Sequence, residues 1–127
     1  FVNDSKATNI NATDQALKNF NNIYWILGGR MKEKNLQKLK KNFFRVKHVF
    51  LLGETKFLYE KYLKKFLNCT IVKNLQEAVK LSYYFAKKET KKDSSSVVLL
   101  SPACSSLDEW RDFEDRGNAF INFVKKI

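Results

Sequence analysis

The run Ile23-Tyr24-Trp25-Ile26-Leu27 is apolar at every position and is stopped by Gly28-Gly29. A strand with one wet face alternates apolar and polar residues. A run with no alternation is buried on both faces, as in a parallel sheet covered by helices on either side. Val46 to Leu52, closed by Gly53, and Val97-Val98-Leu99-Leu100, ended by Ser101-Pro102, repeat the pattern. With the short runs Phe1-Val2 and Thr70-Ile71-Val72 they give about five strands. The expectation is an α/β chain with a three-layer, open, mainly parallel sheet and helices on both faces.

Helical segments fill the intervals. Asn11 is expected to cap a helix carrying Ala12, Ala16, Leu17 and Phe20. A second helix follows Arg30-Met31-Lys32, with Leu36, Leu39 and Phe43 at helical spacing. Thr55 is expected to cap a third, whose apolar stripe is Leu58, Tyr59, Tyr62, Leu63 and Phe66. Asn74 and Glu77 are spaced as a capping box before a helix burying Leu75, Ala78, Val79 and Ala86. Lys87 to Ser96, charged and serine-rich, reads as a surface loop. Ser106 and Glu109 form a second capping box, predicting a final helix through Phe113, Phe120 and Val124. There is no internal repeat, and residues 1–127 read as one domain.

A net charge of +11 raises the question of nucleic acid. Lysine outnumbers arginine by 20 to 4, however, and the lysines are spread over predicted solvent faces. Bidentate reading of phosphates and bases favours arginine, so no nucleic-acid partner is expected. No apolar run is long enough to span a bilayer, and none is expected to make a membrane contact. Cys69 and Cys104 lack CxxC spacing, so they read as buried thiols of a reducing cytoplasm rather than a disulfide framework. His48 lies inside a strand, and no metal-ligand spacing or Walker-type GxxxxGK[ST] occurs. No catalytic residue is expected in this chain.

In an open parallel sheet the ligand crevice lies beyond the carboxyl ends of the strands. That rule selects residues 3 to 9, 28 to 32, 53 to 55 and 101 to 106. Lys6 and Lys32, with the hydroxyls of Thr8, Ser101 and Ser106, would make a receptor for a small dianion. Ser106 at a helix start would add unpaired N–H groups and the positive end of the helix dipole.

Three blocks fall in these loops: Asn3-Asp4-Ser5-Lys6-Ala7-Thr8-Asn9, Leu27-Gly28-Gly29 with Lys32, and Leu99-Leu100-Ser101-Pro102-Ala103-Cys104. The last continues into Ser106-Leu107-Asp108, Phe113-Glu114 and Arg116-Gly117. In order and from end to end, they resemble the C-terminal domain of the Mur ligases, and most closely the branch that adds D-glutamate. The resemblance implies a Rossmann-like domain of a cytoplasmic, monomeric, ATP-dependent enzyme of peptidoglycan synthesis. An N-terminal domain for UDP-N-acetylmuramoyl-L-alanine and a central domain holding most of the ATP and Mg2+ site would lie outside these residues. The chain alone would then be inactive.

By position, the resemblance gives Thr8 and Lys32 to the α-carboxylate of D-glutamate. Ser106, with the backbone around Leu107 and Phe113, goes to its side-chain carboxylate, and Asp4 and Lys6 go to the nucleotide. The chain departs from the family pattern at Arg30-Met31, which predicts an altered path for the loop carrying Lys32. Another Mur ligase is the near alternative, and a basic nucleic-acid-binding module the distant one.

Overall fold

The strand Ile23–Leu27 is buried at all five positions and forms the middle of the sheet. In the computed structural model, which describes residues 1–91 and 94–127, five strands are all paired in parallel. They are β1 (Val2–Asn3), β2 (Ile23–Leu27), β3 (Val46–Leu51), β4 (Cys69–Ile71) and β5 (Val97–Leu100), in the order β1-β5-β2-β3-β4. The chain moves outward from β2 through β3 to β4, then returns to place β5 on the other side of β2. The reversal puts the topological switch between β2 and β5, where Ile23 to Ile26 lie beside Val97 to Leu100.

Successive β2 side chains point to opposite faces, which divides the core in two. Ile23, Trp25 and Leu27 join a cluster with helix α1 (Ile10–Leu17), the turns Gln37–Arg45 and helix α2 (Lys56–Leu63). Tyr24 and Ile26 join a second cluster with α3 (Leu75–Glu89) and α4 (Phe113–Lys125). The three-layer α/β architecture expected from the apolar runs is therefore present.

Several local expectations are corrected. Asn9, not Asn11, caps α1, its Oδ1 accepting from the Ala12 N–H at 2.9 Å. That helix ends at Leu17, and Phe20 packs beyond it. The segment predicted as the second helix is 3₁₀ instead. Leu36, Leu39 and Asn42 are all buried at a spacing of three, the period at which 3₁₀ side chains align. Asn42 fixes this register by donating to the Asp14 carboxylate at 2.6 Å. On α2 only Tyr59 and Leu63 of the predicted stripe are buried; Leu58 and Phe66 are 45% and 43% exposed.

Asn74 caps α3 as its spacing predicts, accepting from the Glu77 N–H at 2.9 Å. The helix then continues to Glu89, through the start of the predicted loop Lys87 to Ser96; Lys92 and Asp93 of that loop lie outside the described residues. The last helix starts at Phe113, capped by Asp112, whose carboxylate accepts from the Asp115 N–H at 2.8 Å. Ser106 opens only an isolated turn, its carbonyl accepting from Glu109 and Trp110. Among the described residues no helix is long and apolar enough to cross a membrane.

Candidate functional site

The loops after β2 and β5 are joined at the switch point. Gly28 and Gly29 leave β2 with φ of +124° and +151°, which only glycine adopts without strain. The Gly28 N–H donates to Pro102 O at 3.1 Å, and Arg30 and Ser105 then exchange two backbone bonds of 2.9 and 3.1 Å. Ala103 reverses the second loop with φ of +59°, a left-handed conformation costing a non-glycine residue about 1–2 kcal/mol. The return is the antiparallel pairing of Arg30 with Ser105, which sets Lys32 and Ser106 at fixed places beyond it. From the β3 side, Thr55 exchanges bonds with Gly29: its N–H donates to Gly29 O, and its hydroxyl accepts from the Gly29 N–H at 3.2 Å. The Thr55 hydroxyl therefore ties two loops together rather than capping α2.

Thr8 and Lys32 are brought together. The Lys32 ammonium donates to Thr8 Oγ1 at 3.3 Å across 24 residues of chain. Among the described residues Lys32 makes no ion pair, so its charge stays open to an incoming anion. Arg30, just before it, is held through its backbone by Ser105. Its guanidinium lies outside, 3.6 Å from Glu54.

Asp4 and Lys6 follow β1. Asp4 is half-buried and accepts from the Ser101 hydroxyl at 2.9 Å. Burial raises its pKa, opposed by that bond and by the charge of Lys6. Ser101 is fully buried, and its hydroxyl oxygen also lies 3.0 Å from Thr13 Oγ1, so it is not available to a ligand as expected. Lys6 is exposed and lines a groove of about 620 Å3 between β1 and α1 with Asp4, Ala12 and Gln15. Lys6 thus lies over this groove and Lys32 at Thr8, whose N–H donates to Lys6 O at 2.9 Å.

Ser106 is buried, and among the described residues its hydroxyl makes no hydrogen bond to protein. It is not at a helix start, so the expected helix-dipole contribution at Ser106 is absent. The Leu107 N–H is spent on Ser105 Oγ at 3.2 Å. Phe113 begins α4, with an exposed ring and a carbonyl that accepts from Ser5 Oγ at 2.7 Å.

Two features of the site were not assigned roles from sequence. Arg116, 1% exposed, donates from Nε to Ser5 Oγ at 2.9 Å, from one terminal nitrogen to Ser5 O at 2.7 Å, and from the other to Cys104 O at 3.1 Å. Burial lowers its pKa to about 10. The only signal for this was an arginine one residue before Gly117 and four before Phe120, on the apolar side of the last helix. Tyr59 is the second feature. Its hydroxyl donates to Glu33 O at 2.9 Å and lies 3.4 Å from Cys104 Sγ, joining the loops of β2 and β5 from below. Burial raises the pKa values of both Tyr59 and Cys104.

In doubly covered parallel sheets ligands bind beyond the carboxyl ends of the strands, and this chain has that α/β architecture with polar side chains gathered there. No family model matches it. Over the whole chain it is 40% identical to the UDP-N-acetylmuramoylalanine–D-glutamate ligase of Wolbachia sp. subsp. Brugia malayi, covering 25% of that protein. It is 37% identical to the protein of that name from Rickettsia felis, over 99% of this chain and 28% of the relative. Against the Rhodospirillum rubrum protein of the same name the identity is 40%, over 100% of this chain and 26% of the relative. Over its whole length the chain is similar to a C-terminal part of these ligases, and it spans about a quarter of the length of these curated relatives.

Proposed function

We propose that this chain is the amino-acid-binding part of an ATP-dependent ligase that joins D-glutamate to UDP-N-acetylmuramoyl-L-alanine in peptidoglycan precursor synthesis. The observation that carries the reading is the meeting of Lys32 and Thr8 at 3.3 Å, with the lysine charge unpaired among the described residues. An ammonium beside a hydroxyl is a receptor for one carboxylate. Ser106, whose hydroxyl has no protein partner among the described residues, supplies a polar group for the second. The Arg30–Ser105 pairing joins the two loops that carry these poles. The names of the relatives support D-glutamate as that dicarboxylate.

In such a ligase the alanyl carboxylate is activated as an acyl phosphate at the expense of ATP, and the amine of D-glutamate displaces phosphate. This chain's residues contribute orientation. Lys32 and Thr8 hold the α-carboxylate, and Ser106 holds the side-chain carboxylate, leaving the amine free to attack. Asp4 and Lys6 face the nucleotide. Among the described residues no three His, Cys, Asp or Glu side chains converge.

The test is a titration of the full-length ligase with D-glutamate and L-glutamate, comparing wild type with Lys32→Ala. Loss of one charge-assisted bond of about 1.5–3 kcal/mol raises KM for D-glutamate by about 10- to 100-fold. An unchanged KM removes Lys32 from the site. The 127-residue chain alone should show no ATP-dependent ligation, and robust turnover by it would overturn the division of labour.

A further inference from the structure

Lys32 and Glu33 are consecutive, and their side chains fork around one residue of another element. Lys32 Nζ reaches Thr8 Oγ1 at 3.3 Å, and Glu33 Oε1 accepts from the Ile10 N–H at 3.3 Å. Between Thr8 and Ile10 lies Asn9, the N-cap of α1. Of the first backbone donors of α1, the Ala12 N–H goes to Asn9 and the Ile10 N–H goes to Glu33. Glu33 is also fixed through its own carbonyl, which accepts from the buried Tyr59 hydroxyl at 2.9 Å.

We propose that Glu33 is a positioning residue for amino-acid binding: it clamps the segment carrying Lys32 onto the start of α1, so that Lys32 and Thr8 meet before substrate arrives. This rests on the reading of Lys32 and Thr8 as the α-carboxylate receptor. Without the clamp, Lys32 is the end of an exposed loop, flanked by the exposed residues Met31 and Lys34. A long, solvated side chain held only by a neutral hydroxyl loses much of its binding value in being ordered. The clamp supplies that order in advance, which raises affinity without a new substrate contact.

Glu33 also settles which donors the substrate meets. A free helix N-terminus attracts carboxylates. Glu33 already occupies the first N–H of α1 and places a negative charge there, so an incoming carboxylate is directed to Lys32 and Thr8 rather than to the helix end. The acceptor is what the clamp needs; its charge is not. Glutamine therefore retains the clamp and alanine does not.

Steady-state kinetics of the full-length ligase test this with Glu33→Ala, Glu33→Gln and Lys32→Ala. The expected result for Glu33→Ala is a KM for D-glutamate raised about two- to thirtyfold, the range for loss of a helix-cap acceptor, with kcat within about twofold of wild type. Glu33→Gln should recover most of the KM. An unchanged KM in Glu33→Ala, or a loss of kcat shared equally by both variants, overturns the proposal. Amide hydrogen exchange in the wild-type enzyme provides a readout free of substrate and of any folding defect. The Ile10 amide should exchange more slowly than that of Asn11, its neighbour in the same first turn, and equal exchange overturns the clamp. If Lys32→Ala leaves KM unchanged while Ile10 stays protected, the receptor reading has failed and Glu33 is not a positioning residue for substrate. If Lys32→Ala raises KM and Ile10 is unprotected, the receptor stands and the clamp alone is lost.

Discussion

Replacing Arg116 separates the cost of a buried charge from the value of its hydrogen bonds. The guanidinium is 1% exposed, and among the described residues no carboxylate lies within ion-pair distance. Burial moves its pKa from 12.5 to about 10. At 1.36 kcal/mol per unit, holding the charge there costs the fold about 3 kcal/mol. Arg116→Met removes that cost and fills a similar volume, but leaves the carbonyls of Ser5 and Cys104 without this donor, at about 1–3 kcal/mol each. The two effects nearly cancel, for a net loss of about 1–2 kcal/mol. Arg116→Lys keeps the charge and loses the fork, since one ammonium cannot span the three acceptors that the planar group reaches. Shedding the proton at pH 7 instead costs up to about 4.6 kcal/mol from an ordinary lysine pKa near 10.4. The lysine variant should lose about 3–5 kcal/mol, so the conservative change is the more damaging one.

Urea unfolding of the chain, followed by fluorescence of the buried Trp25, should rank the three as arginine, then methionine, then lysine. The lysine deficit should shrink between pH 7 and 9. Its ammonium would have a folded pKa below the unfolded one, so the unfolded state binds more protons and stability rises with pH. A lysine variant as stable as the methionine variant would refute the reasoning.

Gly28→Ala places a Cβ against the carbonyl of Leu52 at a φ of +124°. Strain of about 1–3 kcal/mol and a comparable packing cost should remove most of the stability of the chain, seen as loss of the cooperative urea transition; a transition within about 1 kcal/mol of wild type would contradict it. His48 lies between the rings of Phe50 and Phe85, 4.7 and 4.8 Å away, with Nε2 2.7 Å from Thr70 Oγ1. Burial lowers its pKa, with Glu89 opposing. The stability this neutral form contributes is present above the unfolded pKa of about 6.5 and is lost as pH falls through the folded value. In His48→Gln, thermal unfolding should therefore show a shallower loss of stability on acidification below pH 6.5, and a slope equal to wild type would exclude the assignment.

The layers of the fold were legible because strands buried on both faces carry that fact in every residue. Ile23 to Leu27 need no context to be read. Helix starts were less legible, because several residues could cap and only the buried face chooses among them. Ser106-x-x-Glu109 and Asp112-x-x-Asp115 are both plausible caps. A helix beginning at Phe113 buries Arg116, Gly117 and Phe120 on one side, whereas the residues after Ser106 include the exposed Leu107, Glu109 and Arg111. Tertiary packing thus selects Asp112. Asn9 prevails over Asn11 for a similar reason: a start at Ile10 buries Ile10, Thr13, Asp14 and Leu17 against the first cluster.

The candidate site was legible in its location and less so in its chemistry. Strand order assigns ligands to the loops beyond β2 and β5, and the polar residues there were visible without coordinates. What each polar group does depends on its nearest partner. Ser101 and Ser106 are both buried serines of the β5 loop, five residues apart, yet Ser101 is consumed by Asp4 and Thr13 while the Ser106 hydroxyl has no protein partner among the described residues. Arg30 reverses the usual expectation for a charged residue in a binding loop. Its side chain only meets Glu54 at the surface, whereas its backbone pairs with Ser105. Any residue with an N–H can make that pairing, and Lys32 beyond it lies beside Thr8. The loop is specified by its backbone at Arg30 and by Glu33 beyond it, and the identity of Lys32 alone supplies the charge between them.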